Sequence, residues 1–128
     1  FNNETILLVE DNQVNIEICV AILNKLSIKS VVAKSGLEAI EKFESGKFSL
    51  VLMDVQMPEM SGYEAVEKIR EYEKSNNLKR TPVIALTANA LTESKDKSIK
   101  AGMDDYLTKP FKREDLHKIL NKWIPADK

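Results

Sequence analysis

Ser49–Met53 reads SLVLM and runs straight into Asp54. A strand over LVLM is apolar on both faces, as a central strand of a parallel sheet must be. Thr5–Val9 (TILLV) runs in the same way into Glu10 and Asp11. Two further polar residues are placed alike: Thr87 after Pro82–Leu86 (PVIAL), and Lys109 just after Asp104–Leu107 (DDYL). If these runs are neighbouring parallel strands, all five polar groups meet at one edge of the sheet. Open parallel α/β sheets bind their ligands outside the carboxyl ends of the strands. Three carboxylates with one Lys and one Thr hydroxyl suit a hard divalent cation and, through it, a phosphoryl group.

Working outward, runs rich in Val, Ile and Leu alternate with longer segments of helical period. The pattern predicts strands near 5–9, 29–33, 49–53, 82–86 and 104–107 and helices near 13–26, 36–46, 61–75, 91–101 and 112–123. Such alternation implies right-handed βαβ units and a doubly wound α/β sheet with helices on both faces. Asn12 and Ser35 are placed to start the first two helices, and Ser61 with Glu64 three residues on reads as a capping box. Gly46 and Gly102 are placed to close the second and fourth helices. Lys74–Pro82 (KSNNLKRTP) is the longest polar connection. The helix over 91–101 is thin in apolar residues, so it reads as a solvated surface helix and as an element that moves at low cost. The first helix has more apolar residues than one stripe needs; the surplus around Ile16, Val20 and Leu23 is expected either to widen the buried face or to stay exposed as a docking surface.

A chain of 128 residues, 43% hydrophobic and 30% charged, makes one ordinary globular domain, read as residues 1–128. Nineteen basic residues nearly balance twenty acidic ones, which gives no electrostatic reason for nucleic-acid or anionic-membrane binding. No run approaches bilayer length and no signal-peptide pattern is present, so no direct membrane contact is expected. The single cysteine, Cys19, excludes an internal disulfide, fits a cytoplasmic setting and reads as a small buried hydrophobe. The chain begins with Phe1 rather than Met, which points to a processed chain or a piece cut from a longer protein.

The cluster has a definite chemistry. Mg²⁺ takes oxygen ligands in an octahedron and typically uses one or two carboxylates plus substrate phosphate. Asp11 and Asp54 suit direct ligation, Glu10 ligation through water, and the Gln56 backbone carbonyl a further position. With no His or Cys among the ligands, zinc and copper are disfavoured. A carboxylate can attack phosphorus to form an aspartyl-phosphate, and Asp54, ending the central strand, is best placed. Thr87, Lys109 and Mg²⁺ would each take a phosphoryl oxygen, and small Ala88 would leave the group accessible. One Asp at a strand end is commonplace; the signal is the joint placement of five groups at four strand ends.

The segments LLVEDNQVN, LVLMDVQMPEMSGYE, VIALTANA and DDYLTKPF together resemble the four signature segments of the response-regulator receiver domain of two-component signalling. EDNxxN with LTANA is most similar to receivers fused to hybrid sensor histidine kinases. The resemblance covers essentially the whole chain. It implies a flavodoxin-like five-stranded parallel sheet of order 2-1-3-4-5 with five helices. It implies that Asp54 is the phosphoacceptor, fed by a histidine kinase or histidine phosphotransfer domain, and that Glu10, Asp11, Asp54 and the Gln56 carbonyl hold Mg²⁺. Thr87 would be the switch hydroxyl, Tyr106 the switch aromatic and Lys109 the lysine at the phosphoryl group, aimed inward by a cis Lys109–Pro110 peptide. Pro58 and Gly62 would shape the loop over the site, and Gln56 and Asn89 would tune aspartyl-phosphate lifetime. Phosphorylation would draw Thr87 inward, let Tyr106 turn in, and alter the surface of helix 91–101, the last strand and the last helix.

Such a domain, a monomer or weak dimer, is not a conventional enzyme: it catalyses only part of its own phosphorylation and hydrolysis. It would be cytoplasmic, by itself or tethered through a membrane-bound parent kinase. His117 reads as a surface residue, and Trp123 as part of the apolar side of the last helix. A small Mg²⁺ phosphohydrolase is the alternative, but Gln56 stands where such enzymes carry a second Asp as general acid. A flavodoxin-like cofactor carrier would need a phosphate cradle where this chain has Glu10, Asp11 and Asn12.

Overall fold

Five short apolar runs, whose alternate side chains point to opposite faces, build the sheet. The computed structural model describes residues 4–55, 60–87, 99, 101–108 and 112–124. Within them the chain runs β1 (Thr5–Val9), α1 (Gln13–Lys25), β2 (Lys29–Ala33), α2 (Gly36–Ser45), β3 (Leu50–Asp54), α3 (Gly62–Ser75), β4 (Val83–Thr87), β5 (Asp105–Thr108) and α4 (Arg113–Trp123). All strand pairs are parallel and the order is β2-β1-β3-β4-β5. The central β3 and β4 are buried at every position, as continuous apolar strands covered on both faces must be.

Alternate residues feed two cores. Leu7, Val9, Val51, Met53, Val83 and Ala85 pack with Phe43 of α2 and Ala65, Val66 and Ile69 of α3. Ile6, Leu8, Leu50, Leu52, Ile84 and Leu86 pack with Ile16, Cys19 and Leu23 of α1 and Leu116 and Leu120 of α4. Each fully buried Leu or Ile contributes about 1.5–3 kcal/mol.

The expected helix starts hold. The Asn15 N–H donates to the Asn12 side chain, the Glu38 N–H to Ser35 Oγ, and Ser61 with Glu64 forms the capping box. Gly46 does end α2, but at φ −143°, so extended backbone rather than left-handed geometry closes it. Gly102, at φ +111°, is in the left-handed region that favours glycine. The strand boundaries of β3, β4 and β5 lie one residue later than the apolar pattern predicts. Pro82 has no N–H to give the ladder and sits outside β4, although its carbonyl accepts from the Val51 N–H at 2.9 Å. Of the predicted helix over 91–101, Ile99 and Ala101 are helical; 91–98 and 100 lie outside the described residues.

Of the two alternatives for the α1 surplus, the structure takes the buried one, which removes Ile16 and Leu23 as a docking face. Ile16 and Leu23 are not a surplus exposed face: they are 6% and 0% exposed and pack under the sheet with Cys19, while Val20 is half-buried. The exposed apolar residues of α1 are instead Val14 and Ile18, at 64% and 48%. The broad apolar content of α1 thus widens its buried side, and the exposed remainder falls on Val14 and Ile18.

At the amino-terminal edge of the sheet an ionic network fastens the long connection. Arg70 donates to the Gly102 and Thr81 carbonyls, to Glu73 at 2.9 Å and to Asp104 at 2.7 Å. Buried Glu73 also accepts from the Thr81 N–H, and Asp104 from the Val83 N–H and from Arg80. Removing one partner from such a buried set leaves an uncompensated charge. The start of β5, whose far end leads to Lys109, is therefore held in place.

Candidate metal and phosphoryl site

The parallel register brings the predicted side chains together. Val9 lies beside Met53, and Asp54 beside Leu86, so the residues that end β1, β3 and β4 share one edge of the sheet. Carboxylate oxygens of Glu10, Asp11 and Asp54 lie within 4.8 Å of one another. Glu10 and Asp54 are 1% and 5% exposed, whereas Asp11 is open to solvent. Glu10 is fixed by its own backbone, whose N–H donates to the Ala33 carbonyl at 3.0 Å, and its carboxylate accepts from the Asn12 N–H at 3.2 Å. Thus Asn12 caps α1 with its side chain and orients Glu10 with its main chain.

Thr87 is the last residue of β4, 6% exposed, and lies beside Thr108 of β5. Tyr106 is half-buried against the core under α2 and α3, on the strand that leads to Lys109. Lys109, Gln56, Asn89, Pro58, Ala88 and the Lys109–Pro110 peptide lie outside the described residues. His117 is exposed, as expected.

Gly62 has a role that spacing alone does not reveal. A Cβ on it would stand 2.3 Å from the Asp54 carbonyl oxygen and 2.8 Å from Val55 Cα. The start of α3 therefore presses directly on the backbone that carries Asp54, and the Gly62 N–H donates to the Val55 carbonyl at 3.3 Å. Another unforeseen contact is Asp105, which accepts from Trp123 Nε1 and Lys122 Nζ, both at 2.9 Å, and from the Tyr106 N–H. Burial acts to raise the Asp105 pKa, but these hydrogen bonds and the Lys122 charge outweigh it and hold the carboxyl below its usual 3.8. The doublet Asp104–Asp105 was the available signal: two acids opening an apolar strand need partners.

Two nearly buried carboxylates and one exposed one form an all-oxygen donor set open on one side. That set fits Mg²⁺, which keeps several waters, better than a soft or fully caged metal. A model of the response regulator receiver domain matches residues 6–121. The chain belongs to that family. Among curated relatives of this receiver domain, hybrid signal transduction histidine kinase B of Dictyostelium discoideum is 45% identical over 121 residues, 88% of the chain and 6% of that protein. The sensor protein GacS of Pseudomonas syringae pv. syringae is 39% identical over 118 residues, 92% of the chain and 13% of that protein. The chain thus spans only a small part of the relatives it matches. The receiver domain of sensor histidine kinase PA1611 from Pseudomonas aeruginosa PAO1, solved with a magnesium ion in its active-site cleft, superposes with a TM-score of 0.86. It is 41% identical, covering 96% of this chain and 98% of that one. The receiver domain of Ssk1, solved in complex with the Saccharomyces cerevisiae histidine phosphotransfer protein Ypd1, gives a TM-score of 0.90. It is 36% identical, covering 94% of this chain and 88% of that one.

Proposed function

We propose that this receiver domain is a Mg²⁺-dependent phosphoacceptor of a phosphorelay, that Asp54 carries the phosphoryl group, and that the domain is one cytoplasmic module of a longer protein. The observation that carries the reading is the convergence of Glu10, Asp11 and Asp54 within 4.8 Å beside Thr87. Asp11 and Asp54 would hold the ion directly, with the Gln56 carbonyl, and Glu10 through a water. When bound, Mg²⁺ supplies charge neutralisation for the carboxylates and for the incoming phosphoryl oxygens. An Asp54 carboxylate oxygen attacks phosphorus as the phosphorus–nitrogen bond of a phosphohistidine breaks. The imidazole leaves with the bonding electron pair and takes a proton from solvent. Thr87 donates its hydroxyl to one phosphoryl oxygen and Lys109 pairs with another. Tyr106 then follows Thr87, and Gln56 and Asn89 set how readily water reaches the acyl phosphate.

The donor is a histidine phosphotransfer domain or histidine kinase. Val14 and Ile18 follow the acidic cluster on α1, project apolar surface beside it, and supply the docking contact in place of the buried Ile16 and Leu23. Among the described residues no helix is long and apolar enough to cross a membrane.

Incubation with Mg²⁺ and acetyl phosphate should yield a hydroxylamine-labile phosphoryl adduct that Asp54→Ala abolishes. No adduct on the unaltered chain, or an undiminished one on the variant, overturns the assignment.

A further inference from the structure

At the end of the sheet opposite the carboxylate cluster lies a cleft of about 750 Å³. Its wall is aromatic: Phe43 stacks on Phe48 at 6.5 Å and meets Tyr72 edge-on at 6.1 Å. Leu78, 49% exposed, adds an aliphatic surface. Its lining includes three cations, Lys47, Lys79 and Arg80, against one acid, Glu44. Arg80 is held by Asp104 at 2.8 Å, but Lys47 and Lys79 are exposed and form no ion pair with a described residue.

We infer that this cleft docks an acidic polypeptide segment carrying an apolar side chain. Charge complementarity selects acid, because Lys47 and Lys79, unpaired among the described residues, outnumber the one acid of the lining, Glu44. The apolar wall offers a seat for a side-chain anchor, since Phe43, Phe48 and Tyr72 pack on one another and Leu78 lies exposed beside them. A net charge of −1 likewise gives no attraction for nucleic acid. Glu4, the first described residue, is hydrogen-bonded to Ser49 of the lining, and Trp123, one residue from the last described, lines the cleft itself. Both ends of the described chain therefore stand at the rim of the cleft. The cleft lies away from the acidic cluster, so its occupant and a phosphodonor can bind together.

Trp123, the single tryptophan, reports on occupancy. A short blocked peptide of alternating glutamate and aspartate around one central phenylalanine is titrated while indole emission is followed. Saturable change is expected, weakened about tenfold in the Lys47→Glu/Lys79→Glu double variant and equally by replacing the phenylalanine with serine. Both lysines are exposed, so phosphorylation of Asp54 should be unaltered in the double variant; that readout separates failure here from failure of the phosphoacceptor assignment. No saturation, equal affinity in the double variant, or equal binding of a lysine-for-acid peptide overturns the inference. Saturation by a short oligonucleotide but not the peptide, or emission that follows protein concentration alone, overturns it in favour of nucleic acid or a second copy.

Discussion

Gly62→Ala is the sharpest test of how the fold builds the site. The added Cβ would lie 2.3 Å from the Asp54 carbonyl oxygen, about 1.1 Å inside the 3.4 Å of ordinary contact. The obstruction is strand backbone in the centre of the sheet, so no side-chain rotation relieves it. Overpacking of this kind costs about 1–3 kcal/mol, and for a domain of this size that lowers Tm by roughly 3–15 °C. The relief must come from moving α3 or the end of β3, and β3 carries the phosphoacceptor. A displacement near 1 Å of a reacting group costs about a hundredfold in rate. Urea unfolding measures the stability loss, calorimetric Mg²⁺ titration the metal site, and formation of the hydroxylamine-labile adduct the reaction. The expected result is reduced stability with weakened Mg²⁺ affinity and phosphorylation slowed about 10- to 100-fold. Wild-type stability together with wild-type Mg²⁺ affinity would refute the reasoning, because the contact could then not be rigid.

Mg²⁺ at ten times its Kd should stabilise the domain by about 1.4 kcal/mol, raising Tm, and Asp11→Asn should abolish the rise; a Tm indifferent to Mg²⁺ would contradict the metal site. Ile18→Asp should change stability by less than about 0.5 kcal/mol yet slow phosphoryl transfer from a histidine phosphotransfer domain without affecting acetyl phosphate, whereas Leu23→Asp should unfold the chain. Denaturation of both variants and transfer assays on Ile18→Asp check this, and full transfer with Ile18→Asp would remove α1 from the docking surface. Asp105 is held ionised below its usual 3.8, so the unfolded chain binds more protons there than the native one. Its stabilisation is present above pH 3.8 and lost as pH falls through the lower folded-state value. Asp105→Asn should therefore be less stable than wild type at pH 6, with the gap closing on acidification below that value; a gap independent of pH in urea titrations would disprove the linkage.

Most of the fold is written in local pattern. LVLM followed by Asp54 reads as a doubly covered parallel strand because the run is short, apolar on both faces and flanked by segments of helical period. Asn12, Ser35 and Ser61 mark helix starts because their side chains satisfy amide groups two or three residues away. Glu10, Asp11, Asp54 and Thr87 are legible as one site because strand ends in a parallel sheet share an edge whatever the strand order. The pattern leaves the surplus on α1 open between burial and exposure, because helical period says which residues share a stripe, not how wide a stripe the sheet and its neighbours cover.

Alternation and capping depend on neighbours a few residues apart, and the acidic cluster on the rule that parallel strand ends share an edge, so sequence by itself determined them. Only the tertiary structure decided that Val14 and Ile18 face solvent, that Gly62 presses on the Asp54 backbone, that Arg70 ties Glu73 to Asp104, and that aromatic rings and lysines meet in one cleft. Those contacts join segments up to dozens of residues apart, and their geometry exists only once packing has fixed where each helix lies against the sheet.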